Sequence, residues 1–115
     1  MGLLSVLFRK RDNTNINGSQ LQEMLNNSSD ILILDVRSLE EYKTGHIPNS
    51  INIPVDVLLS ELSSLNDYKN SNIVVYCLSG ARSSKASDIL SSNGFNKVYK
   101  LNGGISSYKG KLDKN

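Results

Sequence analysis

One cysteine in this 115-residue chain stands where a thiol can react. Cys77 directly follows an apolar run at residues 73–76, and after it come a short loop with a glycine and then a helical pattern. A cysteine between a buried strand and a helix N-terminus lies near unpaired backbone N–H groups, which favour an anion. One interpretation is therefore that Cys77 is a nucleophilic thiolate and that the loop after it binds substrate. The loop residues are Leu78, Ser79, Gly80, Ala81, Arg82 and Ser83.

The expected change in the Cys77 pKa is large enough to matter. A free thiol with a pKa of about 8.5 is only a few per cent ionised at neutral pH, whereas cysteines at helix N-termini titrate between roughly 3.5 and 7.5. A fall of two pKa units corresponds to about 2.7 kcal/mol and leaves most molecules ionised. Gly80 lets the loop turn its amides inward, and Arg82 and Lys85 add positive charge. The alternative is an ordinary buried cysteine at a strand end, and position alone does not separate the two.

Polar residues also follow the apolar run at residues 31–34. In a parallel sheet the carboxyl ends of the strands meet at one edge, so Asp35 and Arg37 are expected near Cys77. Both residue types occur in catalysis, but a carboxylate and a guanidinium at a strand end are better suited to holding neighbouring loops, together with Glu41.

The only histidine and a pair of glycines complete the candidate site. We expect His46 to be structural, because a thiolate that is already formed needs no base. Gly103 and Gly104 either let the backbone pass close to the cysteine loop or cap the last helix, and both alternatives remain open.

The elements that must position these residues alternate along the chain. Apolar runs at residues 31–34 and 73–76 are typical of parallel strands buried on both faces, and weaker strand candidates lie at residues 98–101, around Ile16 and at residues 51–53. Between them lie helical patterns, so the sequence predicts an α/β domain with a mostly parallel central sheet and helices on both faces. The helical signals are capping boxes at Ser19 with Gln22 and Ser38 with Glu41, a stripe of Leu58, Leu59, Leu62 and Leu65, and a stripe of Ala86, Ile89 and Leu90.

Length and composition indicate one domain. We expect a mobile N-terminal arm at residues 1–14, the domain at residues 15–109 and a C-terminal tail at residues 110–115. The net charge of +2 is too small to indicate nucleic-acid binding, and no metal or cofactor motif occurs. A lone cysteine excludes an internal disulfide, which favours the reducing cytoplasm. The apolar stretch at residues 1–8 is too short to span a bilayer, and we expect no membrane contact through it.

Taken together, the motifs resemble those of the rhodanese family. The resemblance covers residues 16–108, and its pieces follow one another in order at family-like spacing. They are Asp35-Val36-Arg37, Glu41-Tyr42, Gly45-His46-Ile47, Asn52-Ile53-Pro54, the loop from Cys77 to Ser83, Gly94-Phe95 and Leu101-Asn102-Gly103-Gly104.

The resemblance implies a sulfurtransferase that needs no cofactor. Cys77 would take a sulfur atom from a small donor such as thiosulfate, become a persulfide, and pass the outer sulfur to a thiol or cyanide-like acceptor, including a thiol on another protein. Related phosphatases carry a longer loop with an arginine six positions after the cysteine, where this chain has Ser83. The resemblance therefore favours sulfur over phosphate chemistry.

Three departures from the family pattern are visible. Asn49-Ser50 replaces a Gly-Ala pair and Tyr108 replaces a tryptophan, and neither touches the chemistry. Leu78-Ser79 stands where thiosulfate-preferring relatives often have cations, which leaves the donor open. The alternative function is a non-catalytic rhodanese fold that binds a protein partner.

Overall fold

The two apolar runs form neighbouring strands at the centre of a parallel sheet. The computed structural model describes residues 14–114. In it β2 spans Ile31–Asp35, β4 spans Asn72–Tyr76, and the register pairs Asp35 with Tyr76. Only the first residue of each strand is partly exposed, which explains why neither run alternates between apolar and polar residues. Their carboxyl ends therefore meet at one edge of the sheet, as the sequence predicts.

Three further strands complete the sheet. β1 is Thr14–Ile16, β3 is Ile51–Asn52 and β5 is Lys97–Leu101. The spatial order is β1-β5-β4-β2-β3, and every neighbouring pair is parallel. The predicted fold class is confirmed, and so are the three weaker strand candidates.

Helices cover both faces of the sheet. They are α1 (Gly18–Asn27), α2 (Leu39–Thr44), α3 (Val55–Leu58) and α4 (Ala81–Ser92), with 3₁₀ segments at Leu59–Tyr68 and Gly104–Ser107. One apolar core lies between the sheet and α3 and α4 and includes Leu58, Leu90 and Val75. The other core includes Leu21 of α1 together with Ile33 and Val74 of the sheet. Because helices cover both faces of the sheet, we expect a site at the carboxyl ends of its strands.

Two local predictions were wrong. The capping box of α1 is formed by Asn17 and Gln20 and not by Ser19 and Gln22, because Asn17 accepts the N–H of Gln20 and the helix begins at Gly18. Leu59 is 63% exposed and does not join the leucine stripe, because the chain changes there from α-helix to the tighter 3₁₀ helix. The capping box of Ser38 and Glu41 and the helix that ends at Asn93 are confirmed.

The expectations for the N-terminal arm concern residues that the structure does not describe, apart from Thr14. Within residues 14–114, no helix has the length and apolar character needed to cross a bilayer. In the C-terminal tail, Asp113 and His46 exchange two backbone hydrogen bonds of 2.9 Å.

Candidate active site

Cys77 lies in the turn between β4 and α4, and backbone amides point at its sulfur. The N–H of Gly80 donates to Cys77 Sγ at 3.0 Å, and the N–H of Ser83 donates to it at 3.4 Å. Gly80 has a φ of 140°, which side-chain-bearing residues rarely adopt, so glycine permits the turn that brings these amides to the sulfur. Cys77 is only 1% exposed, and its sulfur is therefore screened from bulk water.

The amides lower the pKa of the Cys77 thiol. Burial acts in the opposite direction, because it disfavours the charged thiolate. Hydrogen bonds from the backbone and hydroxyl of Ser83, and from the backbones of Gly80 and Ser79, outweigh burial and bring the pKa below its ordinary value. A buried sulfur with this many donors favours the thiolate that the sequence predicts.

The loop that carries Cys77 packs against the backbone of the second 3₁₀ segment. The N–H of Ile105 donates to the Cys77 carbonyl at 2.9 Å, and Ser106 donates its N–H and its hydroxyl to the Leu78 carbonyl at 3.3 and 3.0 Å. A Cβ on Gly104 would collide with both of these carbonyl oxygens. Gly104 thus lets the backbone pass close to the cysteine loop, which is one of the two predicted roles of the glycine pair. Gly103, with a φ of 79°, is the N-cap of the 3₁₀ segment, which matches the other predicted role.

Arg82 and Glu41 hold the loop from the opposite side. The two terminal nitrogens of Arg82 contact the two carboxylate oxygens of Glu41 at 2.7 and 3.0 Å. The hydrogen bond from Arg82 lowers the pKa of Glu41 to about 2, and the same contact raises the pKa of Arg82. Much of the positive charge of Arg82 is therefore already paired with a carboxylate.

Asp35 and Arg37 form a buried pair at the end of β2. Arg37 Nη2 lies 2.7 Å from Asp35 Oδ2 and also donates to the carbonyl of Gly45 at 2.7 Å. Asn52 donates its amide to the carbonyls of Asp35 and Arg37 at 3.0 and 2.9 Å. Burial works against the charged guanidinium, but the contacts with Asp35 outweigh it and raise the pKa of Arg37. These contacts join loops to the sheet edge.

Tyr76 is a residue of this edge that the sequence analysis missed. It is fully buried, and its hydroxyl accepts the N–H of Ile47 at 3.0 Å and lies 3.3 Å from Ser50 Oγ. Burial raises its pKa, and its ring lies 5.6 Å from the guanidinium carbon of Arg37. Because Tyr76 lies in an apolar run, the sequence pattern indicates a core residue. Its position directly before Cys77 is the sequence feature that could have marked it as part of this edge.

His46 lies in the loop that follows α2. Its ring stacks on Tyr42 with centroids 3.7 Å apart, and Nδ1 is 2.8 Å from the Tyr42 carbonyl oxygen. Within residues 14–114 the structure shows no hydrogen bond between His46 and Cys77. These contacts supply packing and not a base for the thiol.

A cavity of about 300 Å³ opens beside the loop, on the flank toward α3. Leu78 is 48% exposed, and Ala81 begins α4 at the rim. A larger cavity of about 590 Å³ lies away from Cys77, between the start of α1 and Tyr108. In the described part of the chain, no group of three His, Cys, Asp or Glu residues is placed to hold a metal ion. Residues around the nearer cavity include Val36, Ser38, Pro54, Asp56, Arg82 and Lys85.

Comparison with known proteins identifies relatives of two kinds. The profile of the family described as Rhodanese-like domain matches residues 17–111. A rhodanese-like domain protein from Staphylococcus aureus superimposes with a TM-score of 0.79 at 33% identity, covering 89% of this chain and 98% of that one. A rhodanese-related protein from Thermoplasma volcanium gives a TM-score of 0.75 at 31% identity, covering 89% and 99%.

The curated relatives carry a different name. A tRNA uridine(34) hydroxylase from Buchnera aphidicola is 37% identical over 99 residues, which is 83% of this chain and 31% of that protein. The protein of the same name from Photorhabdus laumondii is 40% identical over 97 residues, 81% of this chain and 27% of that protein. The chain therefore spans less than a third of the length of these relatives.

Proposed function

Because the chain belongs to the rhodanese-like domain family, we propose that it moves sulfane sulfur from a small donor to a nucleophilic acceptor through a persulfide on Cys77. The observation that carries this proposal is the pair of N–H groups, from Gly80 and Ser83, that donate to Cys77 Sγ. They stabilise a thiolate before the reaction. The same inward amides are available to a persulfide anion after it.

The first half of the reaction loads the cysteine. The Cys77 thiolate attacks the outer sulfur of a donor such as thiosulfate, a new S–S bond forms, and the old S–S bond breaks. Its electron pair leaves with sulfite, so no external oxidant or reductant is required. Burial of Cys77 strengthens the electrostatic contacts of the sulfur with the loop amides.

The second half of the reaction transfers the sulfur from Cys77 to the acceptor. A thiolate or cyanide attacks the outer sulfur of the Cys77 persulfide, and the Cys77 thiolate leaves with the bonding electrons. The chain returns to its starting state without a metal or cofactor. A thiol on a partner protein can accept the sulfur by the same reaction. The exposed Leu78, directly after Cys77, offers an apolar contact for such a partner.

The test is direct. Thiosulfate and cyanide are supplied to the wild type and to Cys77→Ser, and thiocyanate is measured. We expect product from the wild type alone, and intact-mass analysis should show one added sulfur on the wild type before cyanide is added. If no donor in a panel of inorganic and organic sulfane sulfur compounds adds sulfur to Cys77, the proposal is wrong.

A second candidate function rests on the curated relatives. They are named for hydroxylation of uridine 34 of tRNA, and they are 36–40% identical over the matched stretch. Under this alternative the chain contributes its Cys77 loop to tRNA modification. The level of hydroxylated uridine is measured in tRNA from cells that carry either the wild-type or the Cys77→Ser protein. Only the tRNA-modification function predicts that the variant loses hydroxylated uridine, so this measurement distinguishes the two functions.

A non-catalytic protein-binding module is the remaining alternative. It predicts that wild type and Cys77→Ser capture the same partner equally and that neither transfers sulfur. The lowered pKa of the thiol supports the enzymatic function instead, because binding alone needs no ionised sulfur. We also propose a cytoplasmic location, where reducing conditions keep the lone cysteine free.

A further inference from the structure

A second cavity lies beside the catalytic loop, on the flank toward β5. Its volume is about 230 Å³, and its lining is polar. Gly80 and Ser83 belong to that lining, and these are the residues whose amides donate to Cys77 Sγ. A ligand in this cavity therefore touches the same short loop that holds the reactive sulfur.

Among residues 14–114, the lining of this cavity includes a lysine and no carboxylate. Lys100 lies on β5, is half-buried, and its amine donates to Ser84 Oγ at 3.3 Å. The Ser84 hydroxyl donates in turn to the Gly80 carbonyl at 3.2 Å, so a chain of hydrogen bonds links Lys100 to the loop. Asn15 and Asn102, two further polar residues, also line the cavity.

Lys100 has no counter-ion in the part of the chain that the structure describes. The ion pairs there involve Arg37 and Arg82 as the cations. An ammonium group has three donors, and Ser84 takes one of those on Lys100. A half-buried cation with free donors, in a cavity lined by further donors, is complementary to an anion.

The flank toward α3 differs in this respect. Arg82 and Lys85 line the cavity there, but Asp56 lines it too and Arg82 is paired with Glu41. Among the described residues, Lys100 is thus the cation beside the loop that has neither an ion-pair partner nor a carboxylate in its cavity. Leu78-Ser79 supplies no positive charge directly after Cys77.

We propose that the β5-flank cavity binds a second anionic group of the sulfur donor and that Lys100 selects donors that carry one. This rests on the proposed sulfurtransferase function and names its substrate class: persulfides of short thiols with a carboxylate or sulfonate. In the reaction the Cys77 thiolate attacks the outer sulfur of the donor, the donor S–S bond breaks, and the carboxylated thiolate leaves while Lys100 holds its anionic end.

A matched pair of donors tests the proposal. The persulfides of mercaptopropionate and mercaptopropanol have the same carbon chain and differ in a carboxylate against a hydroxyl. Rates of Cys77 persulfide formation are measured by intact mass for wild type, Lys100→Gln and Lys100→Arg. We expect Lys100→Gln to lower the rate with the carboxylated donor about fivefold to tenfold and to leave the hydroxyl donor unchanged, as for loss of one charge-assisted contact. Lys100→Arg keeps the charge and should keep the preference.

Lys97→Gln is the control, because Lys97 is an exposed lysine of the same strand at its other end. An equal loss in Lys97→Gln, or an unchanged donor preference in Lys100→Gln, overturns the proposal. If neither donor loads Cys77 in the wild type, the sulfurtransferase function fails by itself, and amide NMR with mercaptopropionate decides about the cavity. Shifts of Ser84 and Asn102 that are lost in Lys100→Gln then support the anion site, and absence of shifts overturns it.

Discussion

Arg82 in the first turn of α4 and Glu41 in α2 form a two-point ion pair across 41 residues of sequence, with N···O distances of 2.7 and 3.0 Å. The pair joins the helix that follows Cys77 to the helix that follows β2. It therefore fixes the start of α4, whose Ser83 amide points at the cysteine sulfur.

Glu41→Gln should weaken this link in a pH-dependent way. Glu41 has a pKa of about 2 in the folded chain against 4.5 for an ordinary glutamate, so its contribution is complete above about pH 4.5 and is lost as the pH falls toward 2. The pair is one-third exposed, so we expect a loss of about 0.5–1 kcal/mol at neutral pH, measured by urea unfolding. Glu40→Gln removes an exposed charge of the same helix turn and is the control. A cost for Glu41→Gln that stays constant down to pH 2 would show that the charge of Glu41 does not stabilise the fold.

Gly80→Ala should act on the chemistry of the site. A Cβ there meets nothing within 4 Å, but the φ of 140° is strained for alanine, so the turn that aims the Gly80 amide at Cys77 should relax. We expect a cost of about 1–3 kcal/mol in unfolding free energy and a higher Cys77 pKa. Gly18→Ala, where the added Cβ meets ordinary contacts at 3.7 Å, should change neither. An unaltered thiol titration in Gly80→Ala would show that the amide does not set the pKa.

Gly104→Ala tests the packing behind the loop. The added methyl collides with the carbonyl oxygens of Cys77 and Leu78, and backbone cannot move aside without breaking the hydrogen bonds from Ile105 and Ser106. We expect a loss of about 2–4 kcal/mol and slower sulfur transfer. Gly45→Ala meets only the flexible Leu112 side chain and should be mild by comparison. Equal unfolding midpoints for the two variants would refute this role of Gly104.

Tyr76→Phe should destabilise the edge beside Cys77. It removes the acceptor of the Ile47 N–H and leaves that buried amide unpaired, at a cost of about 1–3 kcal/mol. Tyr99→Phe is the comparison, since Tyr99 is half-buried and its hydroxyl forms no hydrogen bond with residues 14–114. Similar small losses for both variants in thermal unfolding would argue against the Tyr76 network.

The sequence predicted what depends on local pattern. Continuous apolar runs give buried parallel strands, and Cys77 and Asp35 follow from where those runs end. The Ser38 and Glu41 capping box was equally local. The strand order was not accessible, because it depends on pairing between distant segments.

What the sequence missed depends on contacts between distant segments. From the sequence alone, Tyr76 is expected to be a core residue. In the structure, its hydroxyl accepts the N–H of Ile47, which is 29 residues away. From the sequence alone, Lys100 is expected to be an exposed strand residue. In the structure, the packing of β5 and α4 places it beside Ser84. The predicted cap of α1 was Ser19, whereas the path of the chain after β1 makes Asn17 the cap.

The ultraviolet absorbance of the Cys77 thiolate, followed against pH with Cys77→Ser as the blank, measures the pKa of the thiol on which the proposed sulfur transfer depends. Because the folded-state pKa is lowered, the thiolate and its stabilising hydrogen bonds persist to a lower pH than in an ordinary cysteine and are lost as the pH falls through that pKa. We expect a single transition below the ordinary thiol value of about 8.5, matched by the pH dependence of persulfide formation. A transition at or above that value would show that the loop amides do not stabilise the thiolate.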